Sequence, residues 1–284
     1  MKRFLIYTNI YKDPDAAVAN EIKDYLITKG CEADIYKSDG SEDEEDQELL
    51  RTAGMTDMLI ALGGDGTVLQ AARDVKKLNI HIAGVNLGRV GYLTEIEKDN
   101  YKEALDRLIA GDYFVDSRMM LLGSMQYAGG GGFESWALND IVLARRGSIR
   151  LINFDIYING LFLNQYRADG IIVTTPTGST GYNLSAGGPI VEPGAKILTL
   201  TPICPHTLNH RSIILSADDV IEIKIPKARE GVNQEVEVSF DGAGRKILNT
   251  GDSIRISRSE KITEFARLEK TSFLETLHKK LGEN

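Results

Sequence analysis

A chain of 284 residues that is 42% hydrophobic and 26% charged holds enough apolar material for two cores and too much for disorder. Its formal net charge of -8 argues against a nucleic-acid binder, which carries a basic face, and points to small ligands met by local positive potential. Cys31 and Cys204 lie far apart with no C-x-x-C spacing, which speaks against a disulfide framework or thiolate metal site and predicts two buried thiols.

After Met1-Lys2-Arg3 the apolar stretch Phe4 to Tyr7 is too short for a signal peptide. No later stretch reaches the length of a membrane span, so a cytoplasmic protein without membrane contact is expected. Phe4-Leu5-Ile6-Tyr7 reads as a first strand. Asp13-Pro14 supplies the cap and first-turn proline of a helix with a buried stripe of Val18, Ile22, Tyr25 and Leu26, ended by Gly30. A second strand is predicted over Ala33 to Tyr36, and the acidic run Glu42 to Glu48 reads as a solvated loop without a functional role.

Leu59 to Val75 organises what surrounds it. Leu59 to Leu62 run without alternation into Gly63-Gly64-Asp65-Gly66-Thr67, the pattern of a buried parallel strand entering a tight turn. Thr67 and Gln70 have capping-box spacing, and Val68, Leu69, Ala71, Ala72 and Val75 give the following helix its apolar side. Glycines let backbone N–H groups approach a ligand, and the start of a helix carries partial positive charge, so phosphate is the natural guest. Asp65 in that turn makes chemical sense if it takes a proton from an attacking hydroxyl or helps to hold magnesium; the alternative is an Asp that caps its own helix. Ile80 to Val85 reads as another buried strand. The segment Asn86 to Leu93 then leaves the sheet near the edge that carries Asp65, with Tyr92 placed to stack on a base or to cover the sheet end. A helix over Asn100 to Gly111, with Ala104, Leu105, Leu108 and Ile109 inward, ends the βαβ rhythm.

From Asp116 short alternating segments are separated by Gly129 to Gly132, Asn159-Gly160 and Asp241-Gly242, which predicts a mostly β second domain. Asn139-Asp140 stands inside the apolar run Trp136 to Leu143, either as a turn closing a strand or as a pair that grips ribose hydroxyls or an amide. A two-residue loop at Asn159-Gly160 would set Ile158 opposite Leu161, Arg150 opposite Asp169, and Arg167 on the same face, a polar cluster at the open end of an apolar hairpin. Asp169 to Pro189 is a second strand opening into a loop dense in glycine and hydroxyls, able to bind phosphate or ribose, with no Gly-Lys-Ser/Thr of a Walker A loop. His206 and His210 lack the Glu of a zinc-protease pattern, and no metal-ligand set is expected. Ser272 and Glu275 make a capping box for a last helix whose Phe273, Leu274, Leu277 and Leu281 need a surface to cover.

Gly63-Gly64-Asp65-Gly66-Thr67 resembles the signature shared by NAD kinases and by diacylglycerol and sphingosine kinases. Asn139-Asp140 and the run Thr175-Pro176-Thr177-Gly178-Ser179-Thr180-Gly181-Tyr182 resemble motifs of the NAD kinases alone, and the likeness extends from Leu59 to about Gly244. It implies an N-terminal Rossmann-like α/β domain over 1–115 and a mostly β, sandwich-like dinucleotide-binding domain over 116–261, with a C-terminal helix in 262–284 packing back on the first. It further implies transfer of a phosphoryl group from ATP to the 2′-hydroxyl of the adenosine ribose of NAD, a divalent cation such as Mg2+, and a homodimer or homotetramer.

On that reading Asp65 is the base, and Gly63, Gly64 and Gly66 cradle phosphates. Asn139 and Asp140 fix a ribose or the nicotinamide half. Tyr92, Arg150, Arg167, Asp169, Thr177, Thr180, Gly181, Tyr182, Asn183, Leu184 and Ser185 contact the nucleotide. Two departures from the family pattern are Tyr92, where many relatives have Phe, and Gly242-Ala243, where many have Gln or His in the segment after the Asp. The alternatives are a lipid kinase, which would leave Asn139-Asp140 and the Thr177 to Ser185 loop unexplained, and a non-catalytic dinucleotide sensor.

Overall fold

The apolar runs of the N-terminal part become parallel strands because each is buried on both faces. The computed structural model describes residues 2–40, 46–88, 91–147, 150–206, 211–227, 233–269 and 273–282. The chain divides into two units, Met1–Arg118 with Ile262–Asn284, and Met119–Lys261. Among the described residues no helix is long and apolar enough to cross a membrane.

The first unit runs β1 (Arg3–Asn9), α1 (Ala17–Thr28), β2 (Glu32–Ser38), α2 (Gln47–Ala53), β3 (Met58–Gly63), α3 (Asp65–Asp74), β4 (His81–Asn86), β5 (Ile96–Glu97) and α4 (Tyr101–Ala110). Its strands are parallel in the order β2-β1-β3-β4, so the chain reverses direction across the sheet between β1 and β3. α1 and α4 cover the face that carries Phe4, Ile6, Ile60, Leu62 and Val85. Tyr7 points the other way, and its hydroxyl donates to Asp74 Oδ2 of α3 at 2.7 Å.

Three helix starts differ from their sequence reading, because the local backbone turn and its actual cap, not the spacing of residue types, decide where each helix begins. α1 begins at Ala17, not at Pro14, after Ala16 takes a left-handed conformation at φ 52°. Asp13 still caps it, accepting the N–H groups of Val18 at 3.2 Å and Ala19 at 3.0 Å. α3 begins at Asp65 with Gly64 as cap, so Thr67 lies inside the helix and caps nothing. A helix also stands at the end of the acidic run: Asp46 accepts the N–H groups of Glu48 and Leu49 and opens α2, while residues 42–45 of that run lie outside the described residues.

The second unit adds β6 (Phe114–Gln126, begun in the first), β7 (Gly132–Ala137), β8 (Asp140–Arg145), β9 (Ile152–Ile158), β10 (Leu161–Ala168), β11 (Gly170–Thr174), the single-turn α5 (Tyr182–Ser185), β12 (Ile197–Ile203), β13 (Ile213–Ser216), β14 (Ile221–Lys224), β15 (Glu235–Phe240) and β16 (Ala243–Asn249). β17 (Ser253–Arg267) follows. One antiparallel sheet has the order β13-β12-β11-β8-β15-β16, and a second places β10-β9-β14-β17 side by side. Leu143, Ile171, Val173 and Val238 of the first and Phe154, Ile156, Ile223 and Ile254 of the second share one core, which makes this unit a β-sandwich. The last residues of β17 return to the first unit and pair with β4, Glu264 with His81 and Phe265 with Ile82.

The β9–β10 hairpin turns in two residues, with Asn159 at φ 51° and Gly160 at φ 81°, and Ile158 does face Leu161. A bulge between Phe162 and Asn164 then shifts the register by one, so Arg167 faces Asn153 and Asp169 lies beyond the end of the strand. The expected pairing of Arg150 with Asp169 is therefore lost. The same outer strand leaves Leu161, Phe162 and Leu163 exposed rather than on an apolar inner face.

Two further expectations are corrected. Residues 262–267 are strand, and the C-terminal helix α6 begins only at Phe273 and ends at Gly282, with Leu274 exposed and Ser272 outside the described residues. Cys31 is buried as expected, but Cys204 is exposed, at φ 44° just past β12.

Asp13 is buried and holds two first-turn amides of α1, so its removal leaves both unsatisfied. Asp13→Ala is expected to lower unfolding free energy by about 1–2 kcal/mol, read as a lower midpoint in urea; an unchanged midpoint would remove the cap from the account of α1.

Candidate functional site

β3 ends in Gly63, set beside Asn86 at the end of β4, and the chain turns there into α3. Gly63 is obligatory: at φ 155° an added Cβ would lie 2.2 Å from Thr67 Oγ1. Gly64 and Gly66 differ, because a Cβ on either would meet nothing within 4 Å. They border open space at the first turn of α3, where the N–H groups of Thr67 and Val68 already donate to the Gly64 carbonyl and those of Asp65 and Gly66 precede the intrahelical bonds. An anion is the ligand such a turn can hold.

Asp65 neither caps its helix nor points free. Its Oδ2 accepts the N–H of Tyr92 at 2.7 Å, and its Oδ1 accepts those of Leu93 at 3.0 Å and Thr94 at 3.2 Å. Three successive amides thus close on one carboxylate. The approach requires Gly91, where a Cβ would fall 1.8 Å from Asp65 Oδ1. On the far side of the same backbone, Arg267 donates from Nη1 to the Leu93 carbonyl at 2.9 Å and from Nη2 to that of Tyr92 at 3.4 Å. Burial, and after it the Asp65 charge, pushes the Tyr92 phenol up from its ordinary value.

The second unit repeats the device with other residues. The turn between β7 and β8 presents the N–H groups of Leu138, Asn139 and Asp140, which donate to the Asp241 carboxylate at 2.7, 2.7 and 3.0 Å. The turn's carbonyls are held from the next strand: Thr175 Oγ1 donates to Leu138 O at 2.6 Å and Thr174 Oγ1 to Asn139 O at 2.8 Å. Asn139 Oδ1 is buried with no donor, an acceptor suited to an N–H or hydroxyl of a ligand. Asp140 is buried beside Asp241, and its carboxyl is pushed up to about 7, chiefly by burial and then by the Asp241 charge.

The loop after β11 folds against this turn. Gly178 has no room for a side chain, since a Cβ would lie 2.4 Å from Asn139 O and from Thr174 Oγ1. A Cβ on Gly181 would stand 3.6 Å from Asn139 Nδ2 and 4.0 Å from Asp140 Oδ2, which makes this loop and the Asn139–Asp140 pair immediate neighbours. Asn183 is spent on the scaffold: its Nδ2 donates to Ser179 O and Pro189 O at 3.1 and 3.0 Å, and its Oδ1 accepts from Thr201 Oγ1 at 2.7 Å. Thr177 is buried, whereas Tyr182 and Leu184 are exposed and free of the core.

Within each unit the structure gathers most of the residues that the sequence singles out. Gly63, Gly64, Asp65, Gly66 and Tyr92 form one group; Asn139, Asp140, Thr177, Thr180, Gly181, Tyr182, Asn183, Leu184 and Ser185 form another. The bulge removes the hairpin register that would set Arg150 opposite Asp169. Asp169 Oδ1 instead pairs with Arg145 Nε of β8 at 2.8 Å. Arg145 and Arg267 escape the sequence reading, while Asp241 and Thr175 enter it only as parts of motifs, without the bonds they make; Arg145 is on the strand that pairs with β11, so alternation along a sheet neighbour held a signal for it. Among the described residues no group of three or more His, Cys, Asp or Glu is placed to hold a metal ion; His206 is exposed, and His210 lies outside the described residues.

Two family models match the chain, "ATP-NAD kinase N-terminal domain" over residues 4–113 and "ATP-NAD kinase C-terminal domain" over residues 138–268. The chain is similar to the NAD kinase of Lachnospira eligens, with 42% identity over 297 residues covering 99% of this chain and 100% of the relative. It is similar also to that of Agathobacter rectalis, with 44% identity over 99% of both. Among solved structures it resembles yeast NADH kinase complexed with NADH, at TM-score 0.87 and 26% identity over 100% of this chain and 88% of the other. An NAD kinase from Archaeoglobus fulgidus in complex with ATP aligns at TM-score 0.75 and 27% identity over 95% of both.

The raised Asp140 carboxyl has a stability consequence of definite sign. Because its value is above that of the unfolded chain, about 4, the folded state loses stability as pH rises from about 4 to about 7, and the loss is constant above that. Asp140→Asn cannot ionise. Without nucleotide, its urea midpoint is expected above wild type at pH 8 and close to wild type at pH 4; a difference independent of pH would contradict the burial argument.

Proposed function

The chain belongs to the NAD kinase family, and on that premise we propose how its residues divide the work. The activity is ATP-dependent phosphorylation of NAD, a phosphoryl transfer to an alcohol group that gives NADP. A ribose hydroxyl is a weak nucleophile, so the protein must remove its proton, align it with the phosphoryl group and offset charge.

One observation supports Asp65 as the base. A carboxylate has about four acceptor positions; Oδ1 takes two amides, and Oδ2 takes the Tyr92 N–H alone. Oδ2 therefore keeps a lone pair, on an atom already oriented by the backbone, for the proton of the 2′-hydroxyl. Gly63, Gly64 and Gly66 bring the α3 amides to the phosphates. In the second unit Asn139 and Asp140 take the ribose or amide of the nicotinamide half, with Asn139 Oδ1 as the waiting acceptor. Thr177, Thr180, Gly181, Leu184 and Ser185 hold the adenosine side, and exposed Tyr182 stacks on the base. Asn183 shapes the loop and does not bind through its side chain. For Arg150, Arg167 and Asp169 the role in nucleotide contact rests on the family resemblance alone.

The donor set accommodates a divalent ion such as Mg2+ as a companion of ATP: Mg2+ keeps several waters and needs one or two carboxylates beside phosphate oxygens, not a protein cage. Bound there it offsets charge on the transferring phosphates. A cytoplasmic location belongs to the same reading, since both substrates are soluble nucleotides. So does self-association: β10 is an outer strand with Leu161, Phe162 and Leu163 exposed, which a second copy would cover. No observation favours the lipid kinase or the sensor.

Asp65→Asn is expected to lower turnover about 100-fold or more with NAD affinity held within about threefold, measured as NADP formed from NAD, ATP and magnesium and as calorimetric NAD binding. Normal turnover would disprove the base assignment. Light scattering on the intact chain should give the mass of a dimer or tetramer, and Phe162→Lys should shift it toward the monomer; a monomeric wild type would end that part of the reading.

A further inference from the structure

We propose that Arg267 is a positioning residue for phosphoryl transfer, holding the Asp65 carboxylate through two peptide groups of the Tyr92–Thr94 segment; the inference rests on the reading of Asp65 as the base. The peptide that joins Tyr92 to Leu93 accepts from Arg267 Nη2 at its carbonyl and donates to Asp65 Oδ1 at its N–H. The next peptide, Leu93 to Thr94, accepts from Arg267 Nη1 and donates to the same Oδ1. A cation and an anion are thus joined by two parallel bridges, each a polarised amide. Hydrogen bonds in such a chain strengthen one another, so tension on the Arg267 side is felt at Asp65.

An ordinary ion pair would not need this arrangement. Asp116 stands 3.3 Å from Arg267 Nε, and Glu95 3.8 Å from Nη1. Asp116 is also claimed by Arg118, at 2.7 and 2.6 Å to its two oxygens. Both terminal nitrogens of Arg267 go to backbone carbonyls, which only the flat fork of a guanidinium can reach together. Asp116 and Glu95 hold the fork from the side, and Glu95 Oε1 in turn accepts the N–H of Glu269 at 2.8 Å. The consequence is that Oδ1 is occupied and immobile, which leaves Oδ2 as the oxygen that meets the hydroxyl. A misplacement of about 1 Å at such an atom costs on the order of 100-fold in rate, while substrate binding by the remaining residues is unaffected.

The test compares Arg267→Met, Arg267→Lys and Asp65→Asn in the full chain by kcat, KM for NAD and for ATP, and hydrogen exchange of the Leu93 and Thr94 amides. Arg267→Met is expected to lose about 30-fold in kcat with KM for NAD changed by less than about threefold, and to exchange both amides at least about tenfold faster. Arg267→Lys, which keeps the charge but reaches one carbonyl, should recover part of kcat and protect one of the two amides. Should the methionine variant fail to fold, the lysine variant carries the test through the same split between kcat and KM. Wild-type kcat in both arginine variants, or faster exchange with no loss of kcat, would overturn the proposal. If Asp65→Asn alone kept wild-type turnover, the base reading would fall, and the exchange data would still report whether Arg267 holds the segment.

Discussion

A carboxylate seated on three consecutive backbone N–H groups is the interaction on which both functional loops depend. Asp65 gathers the amides of Tyr92, Leu93 and Thr94 in the first unit, and Asp241 those of Leu138, Asn139 and Asp140 in the second. A loop that turns its amides inward to one acceptor cannot spend them on a sheet or helix, so without the carboxylate the segment has no reason to keep its shape. Each anchor costs the chain a local constraint. Gly91 can carry no side chain because Asp65 occupies the space, and Asp241 itself sits at φ 52°, a conformation that few residues other than Gly, Asn and Asp adopt readily.

The two anchors differ in how the opposite face of the loop is treated. In the first unit the outward carbonyls receive a guanidinium, and the charge of Asp65 is matched across the backbone. In the second they receive the hydroxyls of Thr174 and Thr175, which are neutral. Buried Asp140 lies beside Asp241 and holds its proton more tightly, chiefly through burial and then through the Asp241 charge. One unit carries a carboxylate held by three amides beside open space at a helix start. The other carries a carboxyl near its midpoint at neutral pH beside an unpartnered amide oxygen.

The strands of both units and the two glycine-rich loops were legible because they are written locally: apolar runs of fixed period, and glycines where the backbone must come close. What could not be read was set by residues distant in sequence. Nothing near Asp65 announces that its partners lie at 92–94, or that Arg267 stands behind them. The bulge after Phe162 has no glycine or proline to mark it, yet it shifts the register past it by one residue, and Asp169 pairs with Arg145. The start of α1 differs for a related reason, since Asp13 caps it across the left-handed Ala16. Asn183 shows a further limit: the short polar side chains that build a binding loop are the same types that bind the ligand, and only its bonds to Ser179, Pro189 and Thr201 tell which it does.

The unequal fate of the two thiols gives the molecule a built-in point of attachment. Cys31 is sealed in the core of the first unit, while Cys204 stands in water three residues beyond Thr201, whose hydroxyl grips the loop through Asn183. An alkylating dye applied to the native protein will react at Cys204 and spare Cys31. The native chain thus offers one exposed thiol to a single fluorophore, with no engineered cysteine.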